Sequence, residues 1–273
     1  MIRVNEVPPA LPLREAYRPW LDEHRAWLMQ FGEMERTDRW EQLLTHQPEP
    51  AIVEACVRSL LASHVDLVEP AENLSHGGPD FRCRVDRELF YVESACMTTE
   101  MVKEWTNLSD LPNGKASYYR HLTPRFLRRC QGKEQQCAVR TDGPCLLAIG
   151  TLHVAASALC FRRDSAEFTL MSQPKISCRM DVATGKLVGE PLQETDLEFS
   201  AFVRPAIDGN GVEPLRRDIS ALLLCGFGAF PPPIHGALHP AATRPFDRRL
   251  LAKIPFCRLT DSWPQGRLQA EWV

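Results

Sequence analysis

The chain has 273 residues, of which 44% are hydrophobic, and its formal net charge is -3 at pH 7. This composition predicts a globular protein with one sizeable core, and the slightly negative charge excludes a surface coated in positive charge, so nucleic-acid contacts require a local basic patch. No stretch approaches the ~20 apolar residues of a membrane-spanning helix, and no apolar signal segment follows the start, so we expect a soluble cytoplasmic protein without a membrane partner.

The ten cysteines are spread from Cys56 to Cys257 without a Cys-x-x-Cys pair. Several lie in apolar runs, which favours buried thiols in a reducing compartment over a disulfide framework. The nearest approach to zinc-ligand spacing is Cys130 with Cys137, and His235 with His239. The histidine pair has no third ligand in view and is more typical of packing or of a capped turn.

The start of the chain predicts a helical N-terminal cap. Apolar residues recur at helical spacing over 14–34 and again over 38–45. Pro50 then suits the first turn of a helix over 50–64, whose apolar stripe would face the core.

Three strands are predicted next, the last two forming a hairpin. A short strand over 65–68 is followed by turn formers, and the run 81–85 then alternates between apolar and polar residues. The run 89–92 is apolar and aromatic, and Asp86-Arg87-Glu88 forms the polar tip between the two runs.

A helical stretch and a buried strand complete this part of the chain. Residues 117–137 are predicted to be largely helical, although Pro124 and Gly132 interrupt the pattern. The run 145–150 (CLLAIG) is typical of a strand buried on both faces. The predicted order over 50–150 is therefore helix, strand, strand, strand, helix, strand.

The patterns are weaker beyond residue 150. Further elements are predicted as strands over 167–170, 175–180, 197–203 and within 231–240, and as a buried stretch over 219–228. We treat 1–273 as a single domain, with the N-terminal cap at 1–49, a core at 50–150, and a C-terminal α+β elaboration at 151–273 packed on that core.

Two carboxylates are predicted to meet at one edge of the hairpin. Asp80 follows a Gly-Gly-Pro turn at the start of the first strand, and Glu93 ends the second strand, with twelve residues between the two. Such a pair indicates a site for Mg²⁺ or Mn²⁺, because hard cations take oxygen ligands and keep water for the reaction. The alternative is a pair of solvated carboxylates at strand ends.

These residues resemble the PD-(D/E)XK nuclease superfamily, in which Pro-Asp opens the second core strand and an acidic residue, any residue and lysine close the third. Pro79-Asp80 matches the first half, and Glu93-Ser94-Ala95 matches the second apart from its last position. The resemblance covers about 100 of the 273 residues. It implies an α/β fold with an αβββαβ restriction-endonuclease-like core around a mixed central sheet, and a magnesium-dependent endonuclease that acts on DNA.

Ala95 leaves open which group positions or activates the attacking water. Some members of the superfamily carry the lysine on a neighbouring helix, so Lys133, with Gln136 one turn on, is the first candidate and Lys115 the second. The remaining alternative is a catalytically inactive nuclease fold that binds nucleic acid or a protein partner.

Other residues complete the predicted site. Glu54 on the first core helix is a further metal-ligand candidate, as a helix-borne glutamate is in many superfamily members, although Arg58 four residues on would make an ordinary surface pair with it. His76 is a candidate for contact with a phosphate or for a base, and a solvated loop histidine is its more common role.

A basic segment follows the hairpin and is predicted to border the acidic site. Its candidates for binding nucleic acid are Arg120, Arg125, Arg128 and Arg129, with a solvated helix face as the alternative. DNA is the expected partner, and the pattern leaves RNA, a protein partner and a homo-oligomer open.

Overall fold

The computed structural model describes residues 13–32, 34–73, 75, 77–106, 108, 122–129, 131–140, 142–171, 174–178, 180–190, 192–195, 197, 200–206, 212–260 and 269–273. Over these residues the fold is α/β, with helices on both faces of a large mixed sheet. None of the helices in these ranges is both long and apolar enough to cross a bilayer.

The N-terminal part is helical, as its periodicity predicts. The helices before the sheet are α1 (Leu13–Ala16), α2 (Arg18–Gln30), α3 (Met34–His46) and α4 (Pro48–Ala62). Helix α4 begins at Pro48 rather than at Pro50. Proline in the first turn costs the helix little stability, because the N–H groups there have no partner within the helix.

The hairpin is confirmed. The next elements are β1 (Leu67–Pro70), β2 (Phe81–Val85), β3 (Glu88–Cys96) and α5 (Thr99–Thr106). Strands β2 and β3 are antiparallel, with Phe81 opposite Val92. Strand β1 begins later than predicted because the Val65 N–H still bonds to the Leu61 carbonyl as part of the turn that ends α4.

The predicted helical stretch is two helices, and the predicted buried strand is confirmed. The elements are α6 (Leu122–Arg129), α7 (Gln131–Ala138), β4 (Cys145–Gly150), α8 (Val154–Cys160) and α9 (Arg163–Met171). Every residue of β4 is buried. The predicted strand over 167–170 is wrong, because this run lies in α9, where the consecutive residues Phe168, Thr169 and Leu170 are all buried instead of alternating.

The C-terminal part adds four strands to the sheet and two separate ribbons. Its elements are β5 (Pro174–Ser177), β6 (Leu192–Thr195), β7 (Val203–Pro205), β8 (Val212–Pro214), β9 (Ala221–Cys225), β10 (Ile234–Leu238), a 3₁₀ helix (Arg248–Leu251), β11 (Phe256–Leu259) and β12 (Ala270–Trp272). Of the predicted strand over 197–203, the described residues 197 and 200–202 are not in a strand, and Val203 begins β7. The Ser200 hydroxyl turns the chain there by donating to Leu170 O and accepting from the N–H of Phe202 and Val203.

The main sheet has eight strands in the order β1-β2-β3-β4-β9-β10-β11-β12. Strands β3, β4 and β9 run parallel to one another in its centre, and β1-β2-β3 form an antiparallel meander at one side. The mixed sheet is therefore built from both halves of the chain.

The hydrophobic core has two layers, one on each face of the sheet. Helices α2, α3 and α4 pack with Phe90 and Val92 on one face, and α6, α7, α8 and α9 pack with Tyr91 and Ala95 on the other. Because side chains alternate along a strand, Glu93 belongs to the face of Tyr91 and Ala95, where α7 lies.

Candidate active site

A cavity of about 640 Å³ opens where β2 begins and β3 ends. Side chains from α3, α4 and α7 close over this edge of the sheet. The predicted site residues that line the cavity are Glu54, Asp80, Glu93, Lys133 and Gln136. The structure thus brings together the carboxylates and the first candidate lysine.

Asp80 is held at the edge of the sheet by β3. Its Oδ2 accepts hydrogen bonds from the Ser94 amide at 2.7 Å and from the Ser94 hydroxyl at 2.5 Å. Burial raises the pKa of Asp80 to about 6, and the charge of Glu54 adds to the effect, while Lys133 and the Ser94 bonds oppose it. Ser94, the middle residue of the motif, therefore orients the first carboxylate.

Glu93 is completely buried. Its Oε1 accepts a short hydrogen bond from the Lys133 ammonium group, and among the described residues its Oε2 has no hydrogen-bond partner. Burial and then the negative charge of Asp80 raise the pKa of Glu93 to about 9, although Lys133 acts against both. A buried carboxylate oxygen without a partner is costly, and Glu93 lines the cavity.

Lys133 enters the cavity from the first turn of α7. This helix packs on β3 and β4, and Cys137, one turn after the lysine, is buried against the sheet. The Lys133 side chain keeps 30% of its surface exposed, so the ammonium group lies between Glu93 and solvent. Gln136 lines the same cavity, whereas Lys115 lies outside the described residues.

Glu54 faces the cavity instead of forming a surface pair. Arg58 bonds instead to Glu23 at 2.8 Å. Burial raises the pKa of Glu54 to about 7, with a further contribution from Glu72 and an opposing one from Lys133. Glu54 is therefore a third acidic group beside Asp80 and Glu93.

A buried histidine of α2 lies beside Glu54. His24 lies between the rings of Trp27 and Trp40, and its Nε2 is 3.5 Å from Glu54 Oε1. Burial, helped by the positive charge of Arg58, lowers the pKa of His24 to about 3. The imidazole is therefore neutral near neutral pH.

The sequence patterns did not identify the basic groups on α3. Arg39 pairs with Glu72 at 3.0 Å, and Arg36 donates to the Glu72 carbonyl at 2.5 Å. All three residues line the cavity. The spacing of the two arginines places them on neighbouring positions of one helical face, but it does not indicate that this face covers the edge of the sheet.

Among the described basic residues of the predicted segment over 120–133, Lys133 alone lines the cavity. Arg125 is exposed and lies over the ring of Trp105 at 5.0 Å, and Arg128 lines a separate cavity of about 140 Å³ beside Arg216. The arginines that line the cavity, Arg36 and Arg39, belong instead to α3. Three predicted nucleic-acid contacts lie outside the described residues, namely His76, Arg120 and the side chain of Arg129.

The two histidines with metal-like spacing bond to different backbone groups. His235 Nδ1 is 3.1 Å from Phe161 O, and His239 Nε2 is 2.7 Å from Leu215 O. Nδ1 of His239 also accepts from the Ala241 N–H, so this histidine serves a local turn. The described residues thus agree with the packing interpretation of this pair.

The acidic residues suit a hard divalent cation. In the part of the chain that the structure describes, no three His, Cys, Asp or Glu side chains are grouped to hold an ion by themselves. Mg²⁺ is characteristically bound through one or two carboxylates and completes its shell with water and substrate phosphate. Asp80 and Glu93 fit this pattern, and the unpartnered Oε2 of Glu93 is the kind of oxygen that such an ion takes.

Comparison with known proteins gives no match to a protein-family model, to a curated protein or to a solved structure.

Proposed function

We propose that this chain is a metal-dependent nuclease with a restriction-endonuclease-like αβββαβ core that hydrolyses phosphodiester bonds of DNA. The observation that carries the proposal is the ion pair between Lys133 and Glu93 in the cavity that Asp80 also lines. A lysine from a neighbouring helix there supplies the amine that Ala95 lacks. This arrangement favours an active enzyme over an inactive member of the same fold.

The order of elements supports the proposed core. Helix α4 is followed by the antiparallel meander β1-β2-β3, then by α5, α6 and α7, and β4 adds parallel to β3. Asp80 and Glu93 lie where β2 begins and near the end of β3, as in the nuclease superfamily that the motif resembles.

Asp80 and Glu93 are the residues that would hold Mg²⁺ or Mn²⁺. A bound ion of this kind lowers the pKa of a coordinated water and neutralises charge on the phosphate. Ser94 keeps Asp80 oriented for this role through its two hydrogen bonds.

The remaining groups act on the proton and on the phosphate charge. The Lys133 ammonium group can donate to a phosphate oxygen or orient the attacking water, and preorganised donors of this kind stabilise the charge that develops in the transition state. Glu54, whose pKa is about 7, is suited to take the proton that the water loses, because a base works best when its pKa is close to the working pH.

The test is cleavage of plasmid DNA by the purified chain in the presence of Mg²⁺ or Mn²⁺, with RNA as a second substrate. We expect Asp80→Ala and Glu93→Ala each to abolish cleavage. Glu88→Ala is the matched control, since Glu88 is an exposed acidic residue at the other end of β3 and its loss should leave the rate unchanged.

Cleavage that survives both alanine substitutions would refute the assignment. A wild-type protein that binds DNA but leaves it intact with either metal would instead support the inactive binding module.

A further inference from the structure

A second polar groove borders the acidic cavity. Its volume is about 400 Å³, and it shares Arg36, Pro70 and Glu72 with the cavity. Ala71, Asn73, Ser75 and Arg140 complete its lining. A chain molecule that enters the acidic cavity can therefore continue into this groove without leaving the protein surface.

Two arginines from distant parts of the chain converge in this groove. Arg36 from α3 donates to the Glu72 carbonyl at 2.5 Å, and Arg140, which follows α7, donates to the Ala71 carbonyl at 2.7 Å. The guanidinium group of Arg140 also lies over the ring of Tyr91 at 5.5 Å. The two guanidinium groups are therefore anchored to consecutive residues, and both line the groove.

The positive charge of Arg140 is not neutralised within the described residues. Its hydrogen-bond acceptor is a neutral carbonyl, its Nε is buried without a hydrogen-bond partner, and no described carboxylate forms a salt bridge with it. The nearby carboxylate of Glu72 is paired with Arg39. The groove therefore presents the guanidinium group of Arg140 as a donor that a phosphate would satisfy.

We propose that this groove binds a backbone phosphate of the nucleic acid next to the phosphodiester held in the acidic cavity, an inference that rests on the proposed nuclease function. Arg36 and Arg140 donate to the phosphate oxygens, and Asn73 and Ser75 add an amide and a hydroxyl at the same wall. Such a contact fixes the register of the strand and is independent of base sequence.

The experiment measures binding of a labelled DNA duplex by fluorescence anisotropy in EDTA, where metal-dependent cleavage does not occur, over a range of salt concentrations. Arg140→Gln and Arg36→Gln should each weaken binding about tenfold, the loss expected for a charge-assisted hydrogen bond. The log-log salt slope should become less steep by about 0.9 for each phosphate contact removed.

Two variants control for charge and for folding. Arg87→Gln removes an exposed arginine at the hairpin tip, far along β2 and β3 from the groove, and should leave affinity and slope unchanged. Arg140→Lys keeps the positive charge and should preserve the salt slope while losing part of the affinity. Thermal denaturation of each variant separates a loss of binding from a loss of structure. If Arg140→Gln unfolds, Arg140→Lys decides instead, and wild-type affinity in this variant would overturn the groove as a phosphate site.

The outcomes distinguish this inference from the proposed function. Equal affinity and slope for wild type and folded Arg140→Gln would overturn the groove as a phosphate site, even if the wild type cleaves DNA with Mg²⁺. Arginine-dependent binding without cleavage would keep the groove and reject the nuclease. Stabilisation by inorganic phosphate that is lost in Arg140→Gln, with duplex affinity unchanged, would assign the groove to a small phosphate ligand and also overturn the inference.

Discussion

Ala95 and Lys133 show how one chemical group can reach a site from two positions of the chain. Ala95 lies on the same face of β3 as Glu93 and lines the same cavity, so a lysine at position 95 would have entered the space that Lys133 enters from α7. The short spacing of a motif describes only the first of these routes. The second depends on how α7 packs on the sheet.

Because both positions lead into the same space, moving the lysine from residue 133 to residue 95 should preserve part of the activity. Lys133→Met should lower the rate of DNA cleavage by about 10²-fold to 10³-fold, because a donor aimed at the developing charge is lost. Adding Ala95→Lys to this variant should restore part of the rate, since the cavity has room beside Ala95 for the longer side chain. Single-turnover cleavage rates with saturating metal provide the measurement.

Lys253→Met is the control, because Lys253 is exposed on a distant part of the chain. A Lys133→Met protein that is folded and cleaves at the wild-type rate would exclude Lys133 from the reaction.

At the scale of elements, the contact between α4 and β4 positions Glu54. Gly150 ends β4, and a Cβ placed on it would be 2.5 Å from Val53 Cγ1 and 3.2 Å from the ring of Phe227. Val53 directly precedes Glu54 on α4. The absence of a side chain at residue 150 therefore lets the helix approach the sheet closely enough to direct Glu54 into the cavity.

Two glycine substitutions should consequently act in opposite directions. Gly150→Ala forces α4 away from β4 and should lower the free energy of unfolding by about 1–3 kcal/mol, with a loss of cleavage activity. Gly132→Ala in α7 meets no atom within 4 Å and should raise the free energy of unfolding by about 0.5–1 kcal/mol. Urea denaturation of both variants checks the pair, and equal stability of the two would contradict the close approach.

At the scale of the whole molecule, the acidic cavity is a place where folding concentrates negative charge. Burial raises the pKa of Glu54, Glu72, Asp80 and Glu93 together, and neighbouring carboxylates in the cavity contribute to each shift. The cations of α3 and α7 only partly offset this repulsion. Functional sites often lower the stability of a protein. A cation bound in this cavity would relieve the repulsion between the carboxylates.

Proton binding is linked to folding, so the effect of these carboxyl groups on the free energy of unfolding can be measured from its pH dependence. A carboxyl group whose pKa is raised by folding holds its proton in the native state after the unfolded chain has lost it, so stability falls as the pH rises towards the native pKa. Between about pH 7 and about pH 8 the imidazole of His24 is neutral in the folded state and mostly neutral in the unfolded state, so the carboxyl groups dominate and the metal-free protein should lose roughly 1 kcal/mol of stability. Denaturation curves recorded in EDTA at several pH values measure the slope.

Glu93→Gln separates this effect from the rest of the protein. The amide that replaces the carboxylate keeps an oxygen for Lys133 but has no charge, so the variant should be more stable than wild type by about 1 kcal/mol and show a flatter pH dependence. Mg²⁺ at a hundred times its Kd should stabilise the wild type by about 2.7 kcal/mol and leave Glu93→Gln nearly unchanged. A rise in wild-type stability from pH 7 to pH 8 in EDTA, or equal stabilisation of both proteins by Mg²⁺, would contradict the account.

The sequence by itself determined the elements whose patterns are local. The alternation in β2, the polar tip of the hairpin and the apolar run of β4 were sufficient to place Asp80 and Glu93 at one edge, because strand pairing across a short turn leaves few other arrangements. Short apolar runs were ambiguous where helix and strand bury similar residues, as in α9.

Tertiary structure decided which groups meet around the two carboxylates: Lys133 and Glu54 were expected there from the resemblance, whereas Arg36 and Arg39 were not. Lys133 is 40 residues from Glu93 and Arg36 is 36 residues from Glu72, and no periodicity relates such positions. Their meeting depends on how α3 and α7 pack against opposite faces of the sheet, which is a property of the whole core. The same packing carried Arg125 and Arg128 away from the cavity lining, so the carboxylate pair followed from local sequence, and its arginine neighbours on α3 followed from the fold.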